Sequence, residues 1–463
     1  MLALDEDRTA IVMGLGRFGG GLGATRYLLN QGMRVIVTDQ ASESELANQI
    51  NALSGERNRD RLQFMLGGHD EVPMETSDLL VVNPAVPTPW NNVHIKRAYD
   101  SGLTVCTEME LLFERLRTLK QHRVVTVTGS AGKSTTCSMI AHLARRSGMK
   151  CLLGGNIGGS LLNHEDEELA EADVVVLELS SFMLHWLRQG LVTFEPEVGI
   201  LTGLDENHID WHESLEHYID SKSVIRKCRL YVPPFGADSV SSSIDELHGT
   251  SCESGWWHPP EDDWTVSLRN TLLDRVRTSL PGAHQRENAV TACVALAALV
   301  SDPKDRMEFA SSLTTLIDDF DGLEHRLRPL GTSSGILVVD DSKSTTPAAT
   351  QKAVEAFDDP GRIHLIAGGY DKGSDLSQIT SLSNSLGGLY CVGQTGPRIS
   401  GGANAIQCHT ISNAVEEASR HLEEGDVLLL SPGCASWDQF NDYQERGIAF
   451  KKAVESALGS LKK

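Results

Sequence analysis

The chain has 463 residues, more than a single hydrophobic core usually supports, so two or three domains are expected. Its 63 acidic residues outnumber its 41 basic residues, which gives a formal net charge of −22. A field of that sign repels phosphate backbones and anionic lipid surfaces, which argues against nucleic acid or a membrane as a partner. Small phosphorylated substrates remain compatible, because lysines and backbone N–H groups inside a cleft can bind them.

The sequence also indicates a cytoplasmic location. Its longest uncharged apolar-rich stretch, residues 288–300, is too short to cross a bilayer. The N-terminal segment lacks the basic-then-apolar order of a signal peptide. Nine scattered cysteines form no CxxC pair, which is typical of reduced thiols.

Apolar runs and helical periodicity predict an alternating arrangement of strands and helices. In chain order, strands are expected at residues 10–13, 34–38, 79–82, 124–128, 174–179, 198–201, 336–340, 363–367, 389–392 and 426–430. Helices are expected from the glycine-rich loop to residue 29 and at residues 108–119, 134–146, 214–227 and 288–300. This alternation predicts an α/β fold with parallel sheets in three domains, at residues 1–119, 120–322 and 323–463. The stretch from residue 231 to about 280, with three tryptophans from Trp256 to Trp264, is less periodic and is expected to be β-rich or irregular.

The loop after the first strand has the dinucleotide-binding pattern. Gly14, Gly16 and Gly19 stand between a strand and a helix, and Asp39 ends the next strand. Glycines let the backbone approach a pyrophosphate, and the helix N-terminus supplies N–H donors. This motif alone favours a nicotinamide-dependent oxidoreductase, but a UDP-sugar carries a pyrophosphate and a ribose too.

A second glycine-rich loop follows the strand at 124–128 and indicates ATP binding. Its residues are Gly129, Ser130, Ala131, Gly132, Lys133, Ser134 and Thr135. Lys133 is expected to reach the β- and γ-phosphates, and Ser134 to offer its hydroxyl to Mg²⁺. An oxidoreductase has no need of such a loop, whereas a ligase that activates a carboxylate has.

Three further side chains of this region are candidates for a metal site. Glu178 ends an apolar strand, and His208 shares its loop with several acidic residues. Lys222 falls on the apolar face of the helix expected at 214–227, so it must extend to solvent, pair or lose its charge. A neutral amine could take up CO₂ as a carbamate, which would turn a cation into a metal-ligating anion.

Together these residues resemble the Mur ligases, a family of ATP-dependent amide-bond-forming enzymes. The resemblance covers nearly the whole chain in the family's order. It is carried by TGSAGKST (128–135), GGNIG (154–158), LELSSF (177–182), DENHID (205–210), DSKSVIRK (220–227), GLEHRL (322–327), DDSKSTTPAAT (340–350), GGYDKGSD (368–375) and SPGCASWDQF (431–440).

The resemblance implies three domains: a Rossmann-like domain for a UDP-linked substrate, a central P-loop ATPase domain and a Rossmann-like domain for an amino acid. Leu15, Gly16, Asp39 and Asn156 would then contact the UDP substrate. The ATP contacts would be the phosphate loop, Asn288, Arg326 and Asp341. Ser134, Glu178, His208 and carbamylated Lys222 would lie around the metal ions. The residues facing the amino acid would be Lys343, Thr345, Lys372, Ser436, Trp437 and Tyr443.

The activity implied by the resemblance is the joining of UDP-N-acetylmuramoyl-L-alanine to D-glutamate through an acyl phosphate. Lys133, His208, Lys222 and Arg326 would be its catalytic residues, ATP and two Mg²⁺ ions its cofactors, and a monomer its expected state. The third domain is expected to close over the second, so that water is excluded from the acyl phosphate.

Trp437 replaces a leucine and Tyr443 a phenylalanine of the family pattern, so the expected amino-acid pocket is altered. Other amino-acid ligases of the family, a folylpolyglutamate synthase-like ligase and a non-catalytic nucleotide-binding regulator remain as alternatives.

Overall fold

The computed structural model describes residue 2 and residues 4–15, 19–235, 264–402 and 404–462. The chain forms two compact units, Met1–Arg275 with Asn288–Leu316 and Val276–Glu287 with Ile317–Lys463. Two β-sheets lie in the first unit and a third lies in the second. Among the described helices, none combines the length and the apolar character that a membrane span requires.

The strands are β1 (Thr9–Met13), β2 (Arg34–Asp39), β3 (Leu62–Leu66), β4 (Leu79–Val82), β5 (Thr104–Cys106), β6 (Val124–Thr128), β7 (Cys151–Gly155), β8 (Val174–Glu178), β9 (Val198–Leu201), β10 (Leu230–Val232), β11 (Arg328–Ser333), β12 (Ile336–Asp340), β13 (Ile363–Gly368), β14 (Gly388–Val392), β15 (Ala405–His409) and β16 (Val427–Leu430). The α-helices are Gly20–Asn30, Ala47–Asn51, Val93–Asp100, Glu108–Thr118, Lys133–Arg146, Asp166–Glu171, Ser181–Arg188, Ile209–His212, Leu215–Ser223, Trp264–Leu273, Ala283–Ala297, Pro303–Leu316, Pro347–Val354, Ser377–Leu382, Gly396–Ile399, Ile411–Ala418 and Tyr443–Leu458.

The first sheet is parallel, with the order β3-β2-β1-β4-β5. Its central strand β1 is buried from Ala10 to Met13, because helices cover both faces of a parallel sheet. The strand order reverses beside β1, with β2 on one side and β4 on the other. The glycine-rich loop therefore leaves β1 at the switch point, where such sheets bind ligands.

The second sheet is also parallel, with the order β10-β9-β6-β8-β7. Its central strand β6 has β9 and β8 as neighbours, so the phosphate loop lies between the loops that follow them. A continuous apolar core joins the first two sheets: it includes Val12 and Leu28 as well as Val175 and Leu184.

The third sheet has the order β11-β12-β16-β13-β14-β15, in which only the edge strand β11 is antiparallel. One apolar cluster on this sheet includes Leu365 and Leu429, and another includes Ile366 and Leu430. These side chains alternate along β13 and β16, so the sheet is covered on both faces. The three adjacent strands β12, β16 and β13 end at one edge, and each runs into a motif-bearing loop.

The three sheets confirm the predicted α/β class, and each strand predicted from an apolar run is present within about one residue of its expected ends. Strands β3, β5, β7, β10, β11 and β15 were not predicted, and all six are edge strands of their sheets. The helix expected at 288–300 begins earlier, at Ala283, and ends at Ala297. The boundaries placed at residues 119 and 322 stay predictions.

The interpretation of residues 231–280 as β-rich or irregular is wrong for part of that stretch. Trp264–Leu273 is a helix that buries Leu268 and Leu272, one helical turn apart. The segment from 236 to 263, with Trp256 and Trp257, lies outside the described residues.

The helix Glu108–Thr118 begins with a capping box that buries a carboxyl group. The Thr107 hydroxyl accepts a hydrogen bond from the Met109 amide, and Glu110 Oε2 accepts one from the Thr107 amide at 2.8 Å. Burial raises the pKa of Glu110 to about 7, although the hydrogen bonds from Thr107 oppose this shift. Glu110 is therefore a site where folding favours the protonated acid.

We expect Glu110→Gln to gain stability relative to the wild type as the pH rises. The folded protein keeps the Glu110 proton up to about pH 7, whereas the unfolded chain loses it near 4.5, so wild-type stability falls through this window. Glutamine does not titrate. Unfolding temperatures measured across this range test the difference, with Glu71→Gln at an exposed position as the control. Parallel curves for Glu110→Gln and wild type would contradict it.

Candidate active site

The phosphate loop runs from the end of β6 into the helix Lys133–Arg146. Gly129 has φ 151° and Gly132 has φ 81°, conformations that side-chain-bearing residues rarely adopt. Lys133 folds back over the loop, and its Nζ donates to the carbonyl oxygens of Gly129 at 2.8 Å and Ser130 at 3.2 Å. The backbone turn and lysine that the sequence predicted for phosphate binding are thus present.

Side chains from neighbouring elements hold this loop in place. Thr202 Oγ1 donates to the Ala131 carbonyl at 2.5 Å, and Ser130 Oγ lies 2.7 Å from Tyr218 Oη. Ser130 Oγ also accepts from the Asp205 amide at 2.8 Å. Tyr218 had counted only as an apolar helix position, so sequence reasoning missed its contact with the phosphate loop.

Lys222 is almost completely buried next to the phosphate loop, at 3% exposure. Its Nζ donates to Thr128 Oγ1 at 3.0 Å and to the Gly129 carbonyl at 3.1 Å. Burial, and then the charge of Lys133, hold the pKa of Lys222 well below its usual range, while Glu178 opposes the shift. A free amine of this kind is nucleophilic.

Glu178, at the end of β8, is buried with one carboxylate oxygen bound and the other unpaired. Oε1 accepts from Asn156 Nδ2 at 2.8 Å, whereas Oε2 has no hydrogen-bond partner in the described part of the chain. An unpaired buried carboxylate oxygen is costly unless a cation or proton donor reaches it. The geometry therefore fits a metal ligand.

His208 begins the short helix Ile209–His212 with a left-handed backbone, φ 54°. Its ring packs 4.9 Å from that of Phe182. Burial and then the positive charge of Lys133 lower the pKa of His208, so the neutral ring that a metal requires is favoured.

The metal site predicted from Ser134, Glu178, His208 and Lys222 has few ligands of the ordinary kind. Within the described ranges, no group of three His, Cys, Asp or Glu side chains is arranged to hold a metal ion. Lysine as an ammonium repels a cation, whereas a carbamate would add an oxygen ligand beside Glu178. The residues therefore fit Mg²⁺ if Lys222 is carbamylated.

The first unit also places Asn288 next to the phosphate loop. Its Oδ1 accepts from Thr136 Oγ1 at 3.3 Å, and a Cβ added at Gly132 would lie 3.0 Å from it. Ser134 is buried in the first turn of the same helix as Thr136, and Thr135 is half-buried. The structure thus gathers the predicted ATP-binding residues of this unit at one edge of the second sheet.

At the first sheet, Asp39 binds the backbone of its own region. Its Oδ2 accepts from the Leu15 amide at 2.9 Å, and its Oδ1 accepts from the Ala41 amide at 3.0 Å. Gly14 has φ 98°, while Gly16 lies outside the described residues. Asn156, predicted to contact the UDP substrate, lies beside Glu178 of the second sheet, to which its side chain donates.

In the second unit, Asp341 is bound internally. Its Oδ2 accepts from Ser344 Oγ at 2.5 Å and from Ser431 Oγ at 2.7 Å, and its Oδ1 accepts from the Leu327 amide at 3.0 Å. Burial raises the pKa of Asp341 to about 6. These bonds join the loops after β12 and β16, and Arg326 lies half-buried just before Leu327.

The residues predicted to face an amino acid lie at the same edge of the third sheet. Lys343 Nζ lies 5.1 Å from the ring centre of Tyr443, and Lys372 Nζ lies 4.6 Å from that of Trp437. Trp437 is 62% exposed, whereas Ser436 before it is buried. Thr345 is half-buried in the loop after β12.

An aromatic and histidine cluster near His208 was not anticipated from the sequence. His212 Nε2 lies 2.9 Å from Ser181 Oγ, and His185 Nδ1 lies 3.1 Å from His217 Nε2. Trp211 packs 4.6 Å from Phe182, which also contacts His208. The cluster joins three helices, so no periodicity within one helix could have revealed it.

Three family models match the chain. They are the "Mur ligase MurD-like, N-terminal domain" at residues 8–107, the "Mur ligase middle domain" at 127–228 and the "Mur ligase, glutamate ligase domain" at 325–434. The N-terminal and glutamate ligase models span the first and third sheets, and the middle-domain model spans most of the second sheet.

Curated relatives match over nearly the full length of the chain. The UDP-N-acetylmuramoylalanine–D-glutamate ligase of Desulfatibacillum aliphaticivorans is 31% identical, covering 97% of this chain and 99% of that protein. The protein of the same name from Desulfitobacterium hafniense is 32% identical, covering 97% and 98%. That from Ligilactobacillus salivarius is 31% identical, covering 100% and 99%.

Solved structures share the fold at lower identity. The UDP-N-acetylmuramate–alanine ligase of Thermotoga maritima has a TM-score of 0.53 at 18% identity, covering 97% of this chain and 99% of that one. The MurF ligase of the same organism, in complex with ADP, has a TM-score of 0.54 at 16% identity, covering 98% and 97%.

We expect Lys222→Met to raise the unfolding temperature, and to do so more at about pH 6 than at about pH 9.5. The folded pKa lies well below the ordinary value of 10.5, so between the two values the unfolded chain binds a proton that the folded protein does not. Wild-type stability therefore falls as the pH falls through that range, and methionine removes this effect. Calorimetry in CO₂-free buffer tests it, with exposed Lys227→Met as the control. A lower unfolding temperature than wild type at both pH values would contradict it.

Proposed function

The chain belongs to the Mur ligase family, and from this premise we propose that it joins UDP-N-acetylmuramoyl-L-alanine to D-glutamate at the expense of ATP. The observation that carries the proposal is the cluster of Lys133, Lys222 and Glu178 around the phosphate loop. The name shared by the curated relatives supports the choice of the two substrates. A nicotinamide-dependent oxidoreductase would give these three residues no role.

In the proposed reaction, a terminal carboxylate oxygen of the UDP-linked substrate attacks the γ-phosphorus of ATP, and ADP leaves. The amino group of glutamate then attacks the acyl carbon, loses a proton and displaces phosphate, which leaves an amide. Lys133 would lie against the β- and γ-phosphate oxygens and offset the charge that moves to ADP. ATP roles for Asn288, Arg326 and Asp341 remain part of the proposal.

Ser134, Glu178, His208 and carbamylated Lys222 are proposed to hold Mg²⁺. When bound, Mg²⁺ offsets negative charge on the phosphate oxygens. The neutral amine of Lys222 attacks CO₂, one proton is released, and the carbamate carries a single negative charge. The low pKa that burial and Lys133 impose on Lys222 supports this step, because an ammonium has no lone pair to react.

The amino acid is proposed to bind in the second unit. Lys343 and Lys372 would pair with its carboxylates by charge-assisted hydrogen bonds, and Ser436 and Thr345 would donate from the neighbouring loops. Lys343 lies against the ring of Tyr443, and Lys372 lies against the ring of Trp437.

The UDP-linked substrate is proposed to bind through Leu15, Gly16 and Asp39, with Asn156 reaching its sugar end. The Asp39 bond to the Leu15 amide supports this placement, because it holds the glycine-rich loop at the switch point of the first sheet. We place the reaction in the cytoplasm, since ATP and UDP-linked precursors are small cytoplasmic metabolites, and a monomer remains the expected state.

We expect ADP release from ATP, Mg²⁺ and UDP-N-acetylmuramoyl-L-alanine to depend on D-glutamate, and not to occur with L-glutamate, D-aspartate or no amino acid. Lys133→Ala should lower the rate roughly 100-fold or more, because the developing phosphate charge loses its cation. The exposed Lys227→Ala serves as the control. Release with L-glutamate alone would change the proposed specificity, and an undiminished rate in Lys133→Ala would refute the mechanism.

We also expect Lys222→Ala to lose activity and to regain part of it with a short carboxylic acid such as acetate. A small carboxylate can enter the space of the missing side chain and supply the oxygen ligands of the carbamate. Glutamate-dependent ADP release measured against acetate concentration tests this. Lys133→Ala is the matched control, since a carboxylate cannot replace a cation. Full activity of Lys222→Ala without acetate would remove the carbamate from the mechanism.

A further inference from the structure

Arg446 is a completely buried cation in the second unit, at 2% exposure. It is the fourth residue of the helix Tyr443–Leu458. Its Nε donates to Ser342 Oγ at 3.1 Å, its Nη2 to the Ser342 carbonyl at 2.7 Å, and its Nη1 to the Cys434 carbonyl at 3.0 Å. All three acceptors are uncharged, and no carboxylate of the described chain forms an ion pair with it.

Burying the Arg446 guanidinium at this position is unfavourable for the stability of the fold. Burying a charge without a paired carboxylate is costly, and a cation in the first turn of a helix opposes the helix dipole. Burial lowers the pKa of Arg446 to about 10, with Asp438 as the largest opposing charge, so the guanidinium stays protonated at neutral pH. The position therefore indicates a use for positive charge.

The contacts of Arg446 reach every loop that carries a proposed amino-acid ligand. Ser342 precedes Lys343, and Cys434 stands two residues before Ser436. Gly369, three residues before Lys372, packs so closely that a Cβ there would lie 3.2 Å from Arg446 Nη1. These loops follow the adjacent strands β12, β16 and β13.

Ser342 connects the loop after β12 to the helix that contains Arg446. Its hydroxyl accepts from Arg446 Nε and donates to the Tyr443 carbonyl at 2.8 Å, so it joins the loop after β12 to the start of the helix that carries Arg446. Tyr443 in turn holds its ring 5.1 Å from Lys343 Nζ. A change at Arg446 or Ser342 therefore reaches Lys343 through short, direct contacts.

We propose that Arg446 is a positioning residue that holds the three amino-acid loops together and supplies positive charge beneath them, so that the site takes an amino acid with two carboxylates. This inference rests on the proposed function. In a chain with net charge −22, a dicarboxylate needs a local positive field to bind. Lys343 and Lys372 would contact the ligand, and Arg446 would act through the loops and the field.

The test is steady-state ADP release with Arg446→Met, Arg446→Lys and Ser342→Ala. We expect Arg446→Met to raise the KM for D-glutamate about tenfold or more, because both the charge and the loop bonds are lost. The KM value for the UDP-linked substrate should change less than about twofold, since its proposed binding residues lie in the first unit. Arg446→Lys should be intermediate, because it keeps the charge and loses the fork of donors.

A comparison of D-glutamate with D-glutamine separates charge from general loosening of the structure. Arg446→Met should weaken the binding of D-glutamate more than that of D-glutamine, whereas a merely structural defect would weaken the binding of both equally. Ser342→Ala keeps the charge and removes the two hydrogen bonds of the Ser342 hydroxyl, so it tests the contact between the loop and the helix even where Arg446→Met folds poorly. Arg420→Met, at an exposed position of the same unit, is the matched control.

Two failures are distinguishable. If the wild type shows no ADP release that depends on glutamate, the proposed function is refuted. If the wild type is active and the KM for D-glutamate is unchanged in Arg446→Lys and Ser342→Ala, the role of Arg446 alone is refuted. Equal weakening of D-glutamate and D-glutamine by Arg446→Met would refute the charge contribution.

Discussion

Two lysines of distant sequence position, Lys133 and Lys222, donate to the same backbone carbonyl, that of Gly129. Burial, and then the charge of Lys133, lower the pKa of Lys222, so the neutral amine is favoured at that position. In the same site, one carboxylate oxygen of Glu178 has no hydrogen-bond partner in the described part of the chain. The proposed metal site and carbamate are one way to balance these charges.

A buried basic side chain also contacts the loops at the edge of the third sheet. Adjacent parallel strands bring their loops to one edge, and a buried cation beneath the loops joins them. In the phosphate-loop site, burial lowers the pKa of Lys222 and favours its neutral amine, whereas the Arg446 guanidinium keeps its proton and donates to uncharged acceptors. This contrast distinguishes the proposed ATP and metal site from the proposed amino-acid site.

The local sequence was enough to predict the central elements. Buried parallel strands such as β1, β6 and β16 are continuous apolar runs, and the glycines after them mark the turn into a helix. Edge strands were missed because one side of each is less buried, as in β3, where Gln63 is exposed. The helix Trp264–Leu273 was missed because Trp264, Val266 and Leu268 alternate with polar residues, a pattern typical of a strand.

The sequence by itself determined the fold class, the phosphate loop and the identity of most candidate residues, because each motif lies within one strand–loop–helix segment. Only the tertiary structure decided their partners. Lys222 meets Thr128 across 94 residues of chain, and Arg446 meets Ser342 across 104. Periodicity reports which face of an element is apolar, whereas hydrogen-bond partners and pKa shifts depend on strand order and on the burial that packing creates.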